Sequence, residues 1–263
     1  MKSRHDKILG LYVGAVLAFL MLPILVVIPS AFSDDVSLSF PPKGFSLRWF
    51  ENAWNTPGFF DAFVLSAKLA LVSGLLALAV GTLGAFALVR YRFRGRRLLE
   101  MLFMTPMVFP SIVFAVAISM VLGQVGLLRD FWGLVCAHVV IVVPYVVRTV
   151  GATLAEIDVS FEEAAATLGA NRVRTFLLVT LPLLRPGLVA GAVFAAIMSF
   201  DEFTVSLFLV GPGMMTLPLE IYHYTEFSMD PTVAAISTLL IAFTTVVVVL
   251  VERFVGLRRQ FRH

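Results

Sequence analysis

The stretch Glu163-Ala-Ala-Ala-Thr-Leu-Gly169-Ala-Asn171-Arg-Val-Arg-Thr-Phe176-Leu-Leu-Val179-Thr-Leu181-Pro182-Leu-Leu-Arg-Pro186-Gly187 is a polar interruption between the fourth and fifth apolar runs of the chain. Residues 162–168 are rich in Glu, Ala and Leu, which favour helix, and the carboxylates fall in the first turn, where the helix dipole favours them. A short exposed helix is predicted there. Gly169 supplies the left-handed residue that ends such a helix, and Asn171 supplies a cap for a second one over residues 172–180. Pro182 and Pro186 lack a backbone N–H and restrain their predecessors, so they are expected to stop it. The product is helix, bend, helix and a kinked entry into the next apolar run, a stiff unit suited to transmitting a push. Read from composition alone, the same residues also fit a well-capped surface loop.

The surroundings are those of a membrane protein. Hydrophobic residues make up 59% and charged residues 14% of the 263, and the mean hydropathy is +0.95, far from the balance of a soluble domain. A bilayer core about 30 Å thick needs about 20 apolar residues per helix. Six runs qualify, 8–32, 62–89, 98–122, 131–147, 188–210 and 231–251, and an even number places both termini on one side. Lys2, Arg4 and Lys7, the group Arg90, Arg92, Arg94, Arg96 and Arg97, then Arg148, Arg172, Arg174 and Arg185, and finally Arg253, Arg258, Arg259 and Arg262 all fall on one face. The other face has Lys43, Arg48 and Arg129, and Lys68 lies inside the second run. The basic face is expected to be cytosolic, with both termini and the motif loop, about 153–186. The net charge of +3 is therefore a topology signal, with no nucleic-acid partner implied.

One domain, 1–263, is expected, with outer loops at about 33–61, 123–130 and 211–230. The first run follows basic residues as a signal peptide does, but it is long and lacks a clear small-residue cleavage site before Asp34, so a retained helix is expected. Trp49 and Trp54 in the first outer loop read as interfacial anchors. Cys136 is the single cysteine and lies mid-span, so no disulfide forms within the chain.

Catalysis is disfavoured. No Gly-Lys pair occurs, so the chain lacks a phosphate-cradling loop of its own. No Gly-x-Ser-x-Gly elbow is present, and His5, His138, His223 and His263 are scattered without metal-ligand spacing. His138, inside the fourth run, is expected to pack inward against a backbone partner.

The motif residues Glu163, Ala164, Ala165, Gly169, Val179, Leu181, Pro182, Pro186 and Gly187 resemble, in identity and spacing, the EAA loop of ATP-binding-cassette importer permeases. The runs Ala62-Phe-Val-Leu-Ser-Ala-Lys-Leu-Ala and Gly81-Thr-Leu-Gly-Ala-Phe-Ala-Leu-Val-Arg90 are similar to the second-to-third helix region of the type I permeases, and the likeness extends over about 8–257. The resemblance implies an all-α membrane protein with six transmembrane helices and cytosolic termini, a subunit of a bacterial inner-membrane importer. It implies that Glu163, Ala164, Ala165, Gly169, Val179, Leu181 and Pro182 couple to a separate ATPase. The implied partners are two cytosolic ATPases, a second homologous permease, an extracytoplasmic solute-binding protein and membrane lipid. No cofactor is implied on this chain, ATP and magnesium being used by the ATPase. Ser199-Phe-Asp201-Glu202-Phe, Gly211-Pro-Gly, Thr216-Leu-Pro, Ile221-Tyr222 and Pro231-Thr-Val-Ala-Ala look most like the branch that imports spermidine and putrescine. Permeases for opines, other organic amines, phosphonates and ferric iron share much of this pattern.

Asp201 and Glu202 stand inside the fifth run, where an unpaired carboxylate costs at least a few kcal/mol and a functional role is the default reading. No Lys or Arg occurs from 188 to 251, so a cationic substrate is one partner for these acids. Protonation, Lys68 or a basic residue of the second permease is the alternative. Tyr222, His223 and Tyr224 stand between Glu220 and Glu226, and aromatic faces beside carboxylates hold an ammonium. Interfacial tyrosine explains Tyr222 and Tyr224 equally well. Asp201, Glu202, Tyr222, Tyr224 and Glu226 are the candidate path residues. From another class, a secondary transporter or channel without an ATPase remains the alternative function.

Overall fold

The computed structural model describes residues 4–255 and contains, among them, helices and no strand. The helices are α1 (Arg4–Ala31), α2 (Arg48–Asn55), α3 (Phe59–Arg90), α4 (Arg96–Val108), α5 (Ser111–Gln124), α6 (Phe131–Glu156), α7 (Ser160–Thr167), α8 (Arg172–Thr175), α9 (Leu181–Leu183), α10 (Arg185–Phe200), α11 (Thr204–Leu209), α12 (Leu217–Phe227) and α13 (Thr232–Val255). A wider π-helical turn, Phe176–Thr180, joins α8 to α9.

Four of these helices are long and apolar enough to cross a membrane unaided, and six spans result if each of two bent pairs counts as one. The third expected span is one of those pairs: α4 and α5 meet at 112°, at Pro110, which cannot donate a helix hydrogen bond. The second pair is the segment Arg172–Leu183 with α10, bent by 73°. Two boundaries differ from the sequence reading. The fourth expected span, α6, runs past 147 to Glu156, because residues 148–156 contain no proline and still bury Val150 and Leu154. The fifth stops at Phe200 instead of continuing to 210. The expected outer loop 211–230 contains α12.

The described chain divides into two compact units, 4–59 with 221–247 and 60–220 with 248–255. In the larger unit α6 is the most enclosed helix, with Leu134, Val142, Val146, Val150 and Leu154 fully buried. Lipid is as apolar as leucine, so helices in a membrane associate through close packing, and small residues permit it. Gly187, Gly191, Ala195 and Ser199, four residues apart, are the buried stripe of α10. A Cβ on Gly187 would lie 2.5 Å from the Thr153 hydroxyl, and one on Gly191 would lie 3.5 Å from Val150, so this stripe lies directly against α6. Gly81 of α3 approaches Val146 as closely: a Cβ there would lie 2.7 Å away.

In the smaller unit Ala31, Trp49, Ala234 and Ala235 form the core. The Trp49 indole N–H donates to the Ser33 carbonyl at 2.8 Å and the ring is buried, so Trp49 is a core residue and not the surface anchor its sequence context suggests; Trp54 remains exposed. The Asn52 amide donates to Thr232 Oγ1 at 2.8 Å, tying α2 to the start of α13.

Candidate functional site

Two polar features interrupt the apolar helices of the larger unit. The first is the motif loop. Asp158 Oδ1 accepts the Ser160 N–H at 2.9 Å and opens α7; that bond holds the Asp158 carboxyl below its ordinary range. At the other end Gly169 has φ +83°. Its N–H donates to the Ala166 carbonyl and the Ala170 N–H to the Ala165 carbonyl, each at 3.0 Å, which is a Schellman closure. Asn171 Oδ1 accepts the Arg174 N–H at 2.8 Å and caps α8. Both turn-forming expectations, Gly169 and Asn171, therefore match the geometry.

The proline expectation is half right. Pro182 does not stop the helix. A proline cannot donate to the carbonyl four residues back and its ring crowds that position, and the preceding turn, Phe176–Thr180, is widened to π geometry, which carries the chain past it. The segment ends at Leu183, and Pro186 occupies the first turn of α10, where a missing N–H costs nothing.

A clamp beneath the loop lay beyond sequence reasoning. Arg90, the last residue of α3, pairs with Glu162 at 3.1 Å, the side chains being 11% and 18% exposed. Arg90 also donates to the Ile157 carbonyl at 2.9 Å. The Thr180 hydroxyl donates to the same Glu162 oxygen at 3.2 Å. One carboxylate thus holds α3, α7 and the π turn together. The sequence motif puts weight on Glu163, but Glu163 and Ala164 are exposed on α7, and Ala165, Val179 and Leu181 are half-buried. Pro182 is exposed, as are Phe161, Leu168, Val173, Leu177 and Leu178, Leu168 at 88%. Exposed apolar side chains grouped on one polar loop mark a contact surface.

The second feature is the break between α10 and α11. Asp201 and Glu202 do not sit within a continuous helix: they occupy the three-residue gap where α10 has ended and α11 has not begun. Asp201 is exposed and Glu202 half-buried. Neither forms an ion pair among the described residues, and Lys68 is not paired with them. Glu202 Oε1 accepts the Val205 N–H at 3.0 Å, so the carboxylate caps the following turn.

Behind the break lies a buried hydrogen-bonded seam. His138 of α6 is fully buried, with Nδ1 2.9 Å from Ser199 Oγ and Nε2 3.1 Å from Ser206 Oγ. Ser199 Oγ lies 2.9 Å from Ser73 Oγ of α3. The Ser206 hydroxyl donates to the Glu202 carbonyl at 2.9 Å. The expected backbone partner of His138 is thus replaced by two serine hydroxyls. Dry surroundings explain this, since each ring nitrogen must find a partner and α6 itself has no spare backbone group.

The remaining candidates lie in the smaller unit, on α12. Tyr222 and Glu226 are one helical turn apart and share a hydrogen bond, which raises the Tyr222 phenol above its ordinary value. Tyr224 points elsewhere: its hydroxyl donates to Asp230 Oδ2 at 2.9 Å and its ring packs on Phe59 at 5.3 Å. Tyr222 and Glu226 are brought together, whereas Tyr224 is engaged in holding the turn before α13.

Comparison with known proteins completes the picture. The spermidine/putrescine transport system permease protein PotC of Haemophilus influenzae is 35% identical over 240 residues, 91% of this chain and 93% of that one. The putrescine transport system permease protein PotI of Escherichia coli is 29% identical over 238 residues, 87% of this chain and 84% of the other. The fold matches a bacterial ABC transporter that imports the acidic polysaccharide alginate, with TM-score 0.69 and 20% identity over 100% of this chain and 99% of that one. It also matches the MetNI methionine ABC transporter, with TM-score 0.64 and 21% identity over 75% of this chain and 94% of that one. Residues 77–260 match the family described as binding-protein-dependent transport system inner membrane component, and the chain belongs to that family of multi-pass transport permeases.

Proposed function

We propose that the chain is a type I permease subunit of an ATP-driven importer and forms the path for a small organic cation, putrescine or spermidine, across a bacterial inner membrane. The observation that supports the cation is the break at Asp201 and Glu202: two acids at a helix gap, without an ion pair among the described residues, in a stretch of chain without Lys or Arg. A carboxylate in such low-dielectric surroundings gains more from a cation than it would in water. The polyamine named for the curated relatives has the matching charge.

In this reading the membrane is crossed six times by a single permease domain with both termini in the cytosol. The exposed apolar face of α7 and α8 docks one of two ATPases. The chain binds no cofactor itself. A second, different permease completes the path, and a solute-binding protein delivers the substrate on the outer side. ATP closure of the ATPase pair moves α7, and Arg90–Glu162 passes the movement to α3, so that the two permeases rock between inward and outward openings. In the smaller unit Tyr222 and Glu226 form an aromatic and acidic surface of their own that suits an organic cation.

The test is transport of labelled putrescine by the complete transporter in proteoliposomes at saturating loaded binding protein. Glu202→Gln, which keeps shape and removes charge, is expected to lower putrescine delivered per ATP hydrolysed about tenfold, the size of one desolvated charge contact. Asp201→Asn should act in the same direction and more weakly, since Asp201 is exposed. An unchanged ratio in both variants would remove the acids from the path while leaving the permease role standing; transport without any ATPase would favour a secondary transporter.

A further inference from the structure

We propose that His138 is a positioning residue for the substrate carboxylate: its ring ties Ser199 of α10 to Ser206 of α11 and so sets the direction in which Glu202, in the gap between those helices, faces the path. The proposal rests on reading Glu202 as a substrate contact.

The gap of Asp201, Glu202 and Phe203 contains neither proline nor glycine, so nothing in its own residues dictates where α11 points. Val205 and Leu209 seat α11 in the apolar core beside α5 and α6, and the side-chain hydrogen bonds that join its start to the end of α10 pass through a single imidazole. Nδ1 reaches Ser199, two residues before Asp201, and Nε2 reaches Ser206, four residues after Glu202. Proton accounting gives the seam a direction. Ser206 donates its only hydroxyl proton to the Glu202 carbonyl, leaving its oxygen to accept; a neutral ring therefore carries its proton on Nε2 and accepts at Nδ1 from Ser199. Ser73 gives its own proton to the Leu69 carbonyl, so its 2.9 Å approach to Ser199 Oγ is a close contact beside the seam and not a link in it. The line of donors runs from Ser199 of α10 through His138 of α6 and Ser206 of α11 to the backbone of Glu202 itself. The carboxylate is fixed by the same turn, since its Oε1 is held by the Val205 N–H, immediately before Ser206.

Burial gives these bonds their force. His138 and Ser206 are fully buried and Ser199 is 2% exposed, so no water replaces a lost partner. Losing the Nε2 bond frees Ser206 and the turn that Glu202 caps, whereas losing the Nδ1 bond frees α10 and leaves that turn in place.

This asymmetry makes the test specific. In the complete transporter, with putrescine as probe and transport per ATP hydrolysed as the readout, Ser206→Ala is expected to lower the ratio about fivefold, the scale of one buried hydrogen bond. In a Glu202→Gln background the same change should lower it no further, because the group being positioned is gone. His138→Gln places an amide near the Nε2 position and should restore the ratio to within about twofold of the parent. His138→Asn reaches only the Nδ1 position and should behave like Ser206→Ala.

A purely structural histidine would be served by Asn and Gln alike and would change assembly, not stoichiometry. Equal behaviour of His138→Asn and His138→Gln, or an equal loss from Ser206→Ala in both backgrounds, overturns the positioning role while leaving Glu202 as a substrate contact. Failure of both Ser206→Ala and His138→Asn to assemble with the ATPase likewise makes the seam structural and overturns it. No effect of Glu202→Gln on its own removes the carboxylate reading, and this proposal with it.

Discussion

The motif loop and the α10–α11 gap both interrupt apolar helices with charged residues, and they are built in opposite ways. At the loop every change of direction has a residue that causes it: Gly169 at positive φ, Asn171 as a cap, and Pro186 in the first turn of the next helix. At the gap there is no such residue. Phe200, Asp201, Glu202 and Phe203 carry no breaker, and the helix ends where a buried ring and two hydroxyls hold its flanks. A break encoded by backbone chemistry keeps its shape on a protein's surface, where partners come and go. A break encoded by packing exists only inside the fold, and any change to the packing moves it.

Placing valine at a glycine required by packing, Gly187 on the stripe of α10, and at one required by backbone conformation, Gly169, tests this contrast most strongly. At Gly187 a Cβ would meet the Thr153 hydroxyl at 2.5 Å, so valine must push α10 off α6 and with it the whole seam. Overpacking of that kind costs about 1–3 kcal/mol or more, and Gly187→Val is expected to lower the thermal midpoint of the detergent-solubilised complex by several degrees and to abolish transport. At Gly169 nothing lies within 4 Å, and only the backbone at φ +83° resists. Gly169→Val is expected to leave that midpoint close to the parental value while reducing transport and binding-protein-stimulated ATPase activity at least fivefold, a strain of about 1–2 kcal/mol confined to the loop. Equal loss of thermal stability in the two variants would erase the distinction.

The Arg90–Glu162 clamp lies between these extremes, since it ties the exposed loop to the end of a membrane helix. Arg90→Met leaves Glu162 half-buried without its cation and should destabilise the loop by about 2 kcal/mol, less than a fully buried pair because both side chains retain some solvent. The double variant with Glu162→Gln should recover about half of that loss in a double-mutant cycle read by hydrogen exchange over residues 157–180. Additive losses would show that the pair is incidental. The smallest effect is expected at Asn171→Ala, which removes one cap worth about 1 kcal/mol. It should increase hydrogen exchange at Arg174 without altering exchange across α6, and a change in α6 would mean that loop and core are not separable.

The sequence made the first region readable and left the second largely hidden. Run length against bilayer thickness located the apolar helices, and the turn residues located the loop, because each of those signals is carried by the residue itself. Pro182 reads as a stop because its missing donor is visible in sequence, whereas the π turn that carries the chain past it exists only in the folded segment. Trp49 is ambiguous in sequence for a similar reason, since an indole near an interface looks alike whether it faces headgroups or a carbonyl such as that of Ser33. The fifth apolar run extends to 210, ten residues past the end of α10 at Phe200, because apolar residues continue on both sides of the gap.

By itself the sequence determined that this is a helical membrane protein, where its apolar helices lie, and that a capped polar loop separates two of them. Those features follow from local rules: apolar length, the φ range open to glycine, the missing proton of proline. Only the tertiary structure decided that Glu162 rather than Glu163 receives Arg90, and that His138 joins two serines 61 and 68 residues away around the acids. A serine on a membrane helix carries no record of its partner. Close approach along a stripe of small residues brings the hydroxyls and the ring within reach, and in a dry interior each must then bond to the other.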